Sequence, residues 1–171
     1  RANQISPGSV VMVVYEGSRP LLVEAQALVD DSVLGNPRRV CVGFELNRLA
    51  MLLAVLHRHG GLHVSDQDVF VNAVGGVRIS ETSSDLALIF AVVSSFRDRS
   101  LSKDLIVFGE IGLAGEIRPV PNGQERIKEA QKHGFKKAIV PRANTTRKMV
   151  SGIEVIGVST LKEALEAADF F

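Results

Sequence analysis

The chain has 171 residues, of which 46% are hydrophobic, and this length and composition suit one compact domain with a sizeable core. Its 20 Lys and Arg residues nearly balance its 19 Asp and Glu residues, so net charge alone predicts no nucleic-acid or acidic partner. The lone Cys41 excludes a disulfide framework within the chain and a cysteine-rich metal site, and a reducing cytoplasm fits best. The longest apolar runs have eight residues, far short of the roughly 20 that a membrane span needs, so we expect no membrane partner.

In the first half of the chain, short β-rich runs alternate with a helical run, and glycine or proline marks nearly every junction, which predicts an α/β fold. Strands are predicted at residues 9–17, 19–29, 38–44 and 68–74. A helix is predicted over residues 45–61, ended by its last two glycines. Its apolar spacing places Leu46, Leu49, Leu53 and Leu56 on one face.

The second half continues the same alternation. We predict a helix over residues 84–98, two strands around glycine turns within 104–120, a helix over 123–134, strands at 136–141 and 153–158, and a closing helix over 160–171. Thr82 and Asp85 have the spacing of a capping box at the start of the first of these helices.

Motifs for nucleotide hydrolysis and zinc chemistry are missing from this sequence: there is no G-x-x-x-x-G-K-[ST], no H-E-x-x-H and no C-x-x-C. His57, His59 and His63 are close in sequence, but the first two point to different faces of the helix that a glycine pair then ends. We interpret all three as exposed or helix-ending residues that favour the C-terminal helix dipole, not as metal ligands.

The stretch "GGVRISETSSDLALIF", residues 75–90, places three hydroxyls where a glycine turn becomes an apolar helix. Backbone N–H groups and the positive end of the helix dipole could stabilise an oxyanion there. The stretch contains no base that could activate a serine. From these residues alone we expect Thr82, Ser83 and Ser84 to cap the helix by bonding its unpaired N–H groups.

Five long segments carry a resemblance to a known family: "VVYEGSRPLLVEAQALV", "NPRRVCVGFELNRLAMLLAVLHRHGGL", "VFVNAVGGVRISETSSDLAL", "SSFRDRSL" and "VFGEIGLAGEIRPVPNGQERIKEAQKHGFKKAIVP". In this order they resemble the C-terminal domain of the RadA (Sms) family of bacterial DNA repair proteins. That domain is similar to the peptidase domain of Lon, a serine-lysine protease. The resemblance implies an α/β Lon-type, ribosomal protein S5 domain 2-like fold over residues 9–171. It also implies that residues 1–8 are a linker from an upstream ATPase domain, where ATP, magnesium and zinc would bind, so this domain is expected to hold no cofactor or metal.

The resemblance to Lon gives the three hydroxyls of residues 82–84 a second interpretation. Ser83 lines up with the nucleophile and Gln124 with the general-base lysine, while Glu81 and Asp85 replace two glycines of the nucleophile motif. An amide cannot deprotonate a serine, and carboxylates beside an oxyanion would raise the barrier. Lys128 is the best replacement base, but it lies one helical turn, about 5.4 Å, beyond Gln124. We therefore expect no catalytic residue in this domain.

Charge placement then becomes the main indication of function. Residues 125–148 contain eight Lys or Arg residues against two Glu residues, which is typical of a solvated face or a DNA-binding face. Four arginines lie beside glycine or proline turns or at a helix start, where a guanidinium reaches a phosphate at little burial cost: Arg39, Arg48, Arg78 and Arg118. We predict that these four bind DNA. The alternative is pairing within the chain, for example with Glu45, Glu81 or Glu116.

The resemblance implies a cytoplasmic DNA repair function. The domain would assemble into a ring, expected to be a hexamer, support the adjoining ATPase ring and hold single-stranded and branched DNA during branch migration. A recombinase is the expected protein partner, and the full-length protein is expected to be a DNA-dependent ATPase. Two alternatives stay open: a serine peptidase that uses Ser83 with an unconventional base, and an assembly scaffold without DNA contact.

Overall fold

The computed structural model describes residues 6–33, 35–146 and 150–171. The strands in this part of the chain are β1 (Ser9–Glu16), β2 (Arg19–Asp31), β3 (Arg39–Val42), β4 (Gln67–Ala73), β5 (Leu105–Val107), β6 (Glu110–Ile111), β7 (Ile117–Arg118), β8 (Lys137–Pro141) and β9 (Glu154–Val158). The helices are α1 (Leu46–Gly60), α2 (Asp85–Arg97), α3 (Gly123–Lys132) and α4 (Leu161–Ala167). None of the helices in the described ranges is long and apolar enough to cross a membrane.

Seven strands form one sheet in the order β3-β4-β2-β1-β5-β8-β9, and β6 and β7 form a separate hairpin. Within the large sheet, β2 runs antiparallel to β1 and β4, and the other four strand pairs are parallel. The predicted α/β fold is confirmed as a mixed α/β structure with a mainly parallel sheet. The Lon-type fold is a more specific assignment than this sheet topology supports, and it stays a proposal.

Two hydrophobic cores lie on opposite faces of the sheet. The larger packs α1, α2 and α4 on one face, and α2 is at its centre with Asp85–Ser94 buried on every side. The smaller lies on the other face, where Ile127 of α3 packs against Val13, Ile106 and Ala138. On that face α3 packs over β1, β5, β8 and the beginning of β2, where Leu22 contacts the smaller core, and no helix of the described residues covers β3, β4 and the end of β2.

Most predicted elements are confirmed within about two residues at each end, and Gly61 ends α1 in the left-handed conformation with φ of 72°. Of the four leucines predicted to share one face of α1, Leu49, Leu53 and Leu56 are buried, whereas Leu46, the first residue of the helix, is 48% exposed. Residues 104–120 contain three strands, not the two expected. Residues 1–5 of the predicted linker, and Arg147 and Lys148 of the basic segment, lie outside the described residues.

The backbone at Gly43 makes a specific stability prediction, with Gly17 as its matched control. Both residues have positive φ, 85° and 62°, so an alanine carries a similar left-handed cost of about 1–2 kcal/mol at either position. A Cβ at Gly43 would lie 2.6 Å from the Val77 carbonyl oxygen and 2.7 Å from the Ala73 Cβ, whereas a Cβ at Gly17 meets no atom within 4 Å. Gly43→Ala should therefore lower the free energy of unfolding by about 1–3 kcal/mol more than Gly17→Ala, measured by urea denaturation. Equal losses would contradict the tight approach at Gly43.

Candidate functional site

Ser83 lies in a single 3₁₀ turn, Thr82–Ser84, that leads directly into α2. Two backbone hydrogen bonds with Gly109, which follows β5, hold the turn in place. The Gly109 amide donates to the Ser83 carbonyl oxygen at 2.9 Å, and the Leu86 amide donates to the Gly109 carbonyl oxygen at 3.0 Å. The Ser83 residue is only 3% exposed. The resemblance-based nucleophile position is therefore a rigid and buried one.

The predicted capping of α2 is wrong. The Ser83 hydroxyl donates to the Glu81 carboxylate, and the Ser84 hydroxyl donates to the Glu81 carbonyl oxygen at 2.9 Å. The N-cap residue Ser84 makes no side-chain bond to the helix, and Asp85 bonds other partners instead of completing a capping box with Thr82. Charged groups make stronger hydrogen bonds than the helix amides, so the Glu81 carboxylate takes the Ser83 hydroxyl and the Arg48 guanidinium takes the Asp85 carboxylate.

The cation beside Ser83 is Arg126, which the sequence analysis did not identify. Its Nη1 donates to the Ser83 Oγ at 3.2 Å and to the Glu81 Oε1 at 2.7 Å. The same nitrogen donates to the Val13 carbonyl oxygen at 2.7 Å, and Nε donates to the Pro121 carbonyl oxygen at 2.9 Å. With its side chain 3% exposed, Arg126 is a buried charge whose donors are taken by oxygens of the protein.

A sequence signal for Arg126 exists in the periodicity of α3. The buried residues of this helix are Gly123, Arg126, Ile127 and Ala130, which have the three- and four-residue spacing of a core-facing stripe. A charged residue within that stripe must find a partner in the interior. The spacing could thus have indicated burial of Arg126, although not the identity of its partner.

Glu81 is the centre of this network. Burial alone would raise the pKa of Glu81, but hydrogen bonds from the Ser83 hydroxyl, the Tyr15 amide and the Arg126 guanidinium outweigh it and hold the pKa below its ordinary value. The Tyr15 amide donates to Oε2 at 3.0 Å. Glu81 is therefore a carboxylate at neutral pH, and a weak base.

Neither neighbour of Ser83 is suited to accept its proton. A guanidinium stays charged in proteins and has no acceptor, and a carboxylate with a lowered pKa takes a proton from a hydroxyl very unfavourably. Gln124, at the position that lines up with the Lon lysine, instead donates from Nε2 to the Asn144 carbonyl oxygen at 2.6 Å. Lys128, the suggested replacement base, is exposed on the side of α3 opposite the buried stripe. These contacts hold Ser83 in place without activating it.

A second ion pair lies at the start of α2. The Arg48 guanidinium makes a two-pronged contact with the Asp85 carboxylate, with Nε to Oδ1 at 3.0 Å, and the Ile111 amide donates to Oδ2 at 3.0 Å. Burial raises the pKa of Asp85, and the contacts from Arg48 and Ile111 oppose that rise. The predicted alternative of pairing within the chain is thus observed for Arg48, although Glu45 instead caps α1 by accepting from the Arg48 backbone amide at 2.8 Å.

The four arginines predicted to bind DNA are only partly brought together. Arg48 and Arg78 line one cavity of about 430 Å³ beside the Thr82–Ser84 turn. Arg118 lies on the hairpin that also contains Ile111, is 58% exposed and has Glu116 at 3.6 Å. Arg39 is the first residue of β3, whereas the cavity is lined by residues at the last part of that strand and by Gly43. The Arg39 guanidinium donates to the Gln67 carbonyl oxygen and, at 3.2 Å, to the Val64 carbonyl oxygen.

The side chains of these arginines therefore differ in availability. The side chain of Arg78 is exposed and makes no hydrogen bond or ion pair with any residue in the described ranges. Arg118 has one exposed partner, and exposed pairs exchange readily with other ligands. Arg39 and Arg48 are held by groups of the chain itself. DNA binding by the set stays a prediction, carried best by Arg78 and Arg118.

The basic segment at 125–148 is mostly a surface feature. Lys128, Lys132 and Lys136 are exposed, while Arg142 pairs with Glu163 at 2.8 Å. Among the described cations of this segment, Arg126 is the buried one and belongs to the Ser83 network. The exposed lysines form a second surface with the charge that phosphate binding requires.

The histidines near the end of α1 are exposed, as predicted. The rings of His57 and His63 meet edge to face with centroids 4.4 Å apart. Across residues 6–33, 35–146 and 150–171, the structure shows no group of three or more His, Cys, Asp or Glu side chains placed to hold a metal ion.

Comparison with known proteins gives a family and several relatives. A family model described as subunit ChlI of Mg-chelatase matches residues 45–144. The chain is 66% identical over 169 residues to DNA repair protein RadA of Escherichia coli, which covers 99% of this chain and 37% of that protein. It is 47% identical over 161 residues to DNA repair protein RadA of Aquifex aeolicus, covering 94% of this chain and 36% of the relative. The corresponding protein of Bacillus subtilis is 43% identical over 164 residues, covering 95% and 36%. The chain thus spans little more than a third of the length of these relatives.

Replacing the buried Arg126 should lower the free energy of unfolding far more than replacing the exposed Arg142. Arg126→Leu leaves the Glu81 carboxylate without its ion partner, and we expect it to lower the free energy of unfolding by about 3 kcal/mol. Adding Glu81→Gln to Arg126→Leu should recover part of this loss, since no unpaired charge remains. Arg142→Ala, which breaks the exposed pair with Glu163, is the control and should cost less than about 1 kcal/mol. Urea denaturation measures all variants, and similar losses for Arg126→Leu and Arg142→Ala would disprove the structural role of Arg126.

Proposed function

The chain belongs to the family of subunit ChlI of Mg-chelatase, and from its likeness to DNA repair proteins and the contacts of Ser83 we propose that it is a catalytically silent domain of a DNA repair protein. One observation carries this proposal. The buried group beside Ser83 is the guanidinium of Arg126, and a guanidinium cannot act as the base that a serine nucleophile requires. In this proposal the domain has a Lon-type fold, and the residues at the position of the Lon catalytic site, Ser83 and Glu81, have a structural role. They link α3 to the turn before α2 through Arg126.

In this proposal the domain acts in recombinational repair together with the remainder of a longer protein, a DNA-dependent ATPase that drives branch migration. The domain contributes a ring, expected to be a hexamer, that contacts single-stranded and branched DNA and supports a recombinase. Support comes from the coverage of relatives named for DNA repair, which are nearly three times as long as this chain. ATP, magnesium and zinc belong to that remainder.

The DNA-contact part of the proposal rests on exposed cations with few partners. Arg78 lines the cavity beside the Thr82–Ser84 turn and Arg118 lies on the β6-β7 hairpin, and both side chains are exposed, so each can reach a phosphate at the surface. A ring would repeat each arginine once per subunit and form a belt of positive charge. Contacts of this kind recognise the phosphate backbone and not the sequence, which suits a protein that moves along any DNA.

A serine peptidase is the second candidate, and one contact favours it. The Ser83 hydroxyl donates to the Glu81 carboxylate, so Glu81 is the unconventional base that this candidate would use. The lowered pKa of Glu81 and the 3% exposure of Ser83 both oppose it. We therefore prefer the silent domain.

The chemistry is tested with a fluorophosphonate probe and an unfolded protein substrate. We expect the wild-type chain to be neither labelled at Ser83 nor able to cleave the substrate, because no group beside the hydroxyl can take its proton. Ser83→Ala should leave DNA repair by the full-length protein largely intact. Labelling that exceeds the rate of free serine, and that Glu81→Gln abolishes, would establish the peptidase in place of the silent domain.

The DNA surface is tested by salt titrations of binding to single-stranded DNA. Replacing Arg78 and Arg118 by Ala should lower the slope of log affinity against log salt by roughly one for each arginine and subunit engaged. The matched control replaces Lys132 and Lys136 by Ala, which removes the same charge from the basic segment. Loss of binding in the lysine variant alone would move the DNA face to α3. A wild-type chain that binds no DNA at low salt would instead identify an assembly scaffold.

A further inference from the structure

In the described part of the chain, no helix covers the β3-β4 half of the large sheet on one of its two faces. Residues of β2 and β4 alternate between the two faces, so Val29, Val69 and Val71 pack under the helices of the larger core. On the opposite face α3 covers β1, β5, β8 and the beginning of β2, so β3, β4 and the end of β2 have no helix of the described residues above them. A sheet normally buries its apolar face against a second layer, so an apolar surface left here requires a partner.

The uncovered face does carry an apolar surface. Strand register aligns Val40, Phe70 and Leu28 in one row across β3, β4 and β2, and Val42 follows Val40 on the same side of β3. Leu28 is 58% exposed, Val42 56% and Val40 41%. These four residues, the open sheet half, line a groove of about 410 Å³.

A second uncovered surface lies on α1. Asn47, Ala50, Met51, Ala54 and Arg58 are exposed at the spacing of one helix face, which we call the outer face of α1. Met51 is 42% exposed, and Leu46 beside it is 48% exposed. The two alanines allow close approach of another surface. This helix face has the composition of one that is buried in an assembly.

The charges around the two surfaces are complementary. Asp30 and Glu24 flank the open sheet half on β2, while Arg38 there is paired with Asp68 at 3.7 Å and is stacked over Phe70. The residues of α1 include no Asp or Glu, and its last turn carries His57, Arg58 and His59. A basic helix therefore meets an acidic rim, which favours this pairing over contact between two like surfaces.

We propose that the outer face of α1 of one copy of the chain packs on the open sheet half of the next copy, in place of the helix that this half of the sheet lacks. This inference rests on the proposed ring assembly and specifies its contact. The two surfaces lie on opposite sides of the sheet, so each copy offers one to each neighbour and the contact is head to tail. Such a contact generates a ring when the rotation closes.

The test measures mass by sedimentation equilibrium at about 100 μM, a concentration at which even weak specific interfaces are populated. Val42→Lys places a cation against the basic helix, and Met51→Glu places an anion against the acidic rim. Each should weaken association at least tenfold and leave mainly monomer. Leu113→Glu, at a 68% exposed leucine outside both surfaces, is the control and should associate like the wild type.

Mixing the two variants gives the decisive result. The Val42→Lys chain keeps an intact α1 and the Met51→Glu chain keeps an intact sheet half, so a 1:1 mixture should form a dimer that grows no further. Wild-type mass in either single variant, or a mixture that stays monomeric, overturns the proposed contact. Self-association of Met51→Glu alone also overturns it, because the sheet halves would then pair with each other. A monomeric wild-type chain would refute the ring assembly itself, whereas an associating wild type with unaffected variants refutes only this surface.

Discussion

The burial of one guanidinium organises the centre of this molecule. Arg126 is 3% exposed, and its donors go to a β1 carbonyl, to the turn before α3, to Glu81 and to Ser83. A buried cation requires a carboxylate close by, and a half-buried carboxylate requires donors. Glu81 thus receives the Ser83 hydroxyl and the Tyr15 amide as well. The sheet, α3 and the start of α2 are joined at one point.

The pair of Arg48 and Asp85 repeats this arrangement at the other side of the Thr82–Ser84 turn. It links α1 to the first residue of α2 and to the hairpin through Ile111. The two carboxylates that flank the Thr82–Ser84 turn, Glu81 and Asp85, are therefore each paired with an arginine from a different helix. The positive end of α2, which would stabilise an oxyanion in a hydrolase, here lies beside paired carboxylates. These two ion pairs supply contacts that join α1, α2, α3 and the hairpin around the turn.

The sequence predicts the elements well and their long-range partners poorly. Alternating apolar residues identify β4, and the glycine after α1 marks its end, because both signals depend on neighbours within a few positions. Arg126 and Glu81 are 45 positions apart and Arg48 and Asp85 are 37 apart, and no local pattern selects one carboxylate among several. Periodicity placed Leu46 on the same face of α1 as Leu49 but could not show that this first residue of the helix is half exposed. The resemblance to Lon identified Ser83, whereas its buried neighbour followed only from the packing of α3.

The proposed assembly and DNA surfaces meet at the end of β3. Val42 belongs to the open sheet half, and the next residue, Gly43, accepts a hydrogen bond at 2.7 Å from the Ile79 amide, which fixes the loop that carries Arg78. A Cβ at Gly43 would lie only 2.6 Å from the Val77 carbonyl oxygen, so the loop before Arg78 packs directly against the end of β3. A copy that packs on Val42 would therefore also determine where Arg78 lies relative to the neighbouring subunit. Assembly through the open sheet half would in this way position the arginine that the chain leaves free for phosphate.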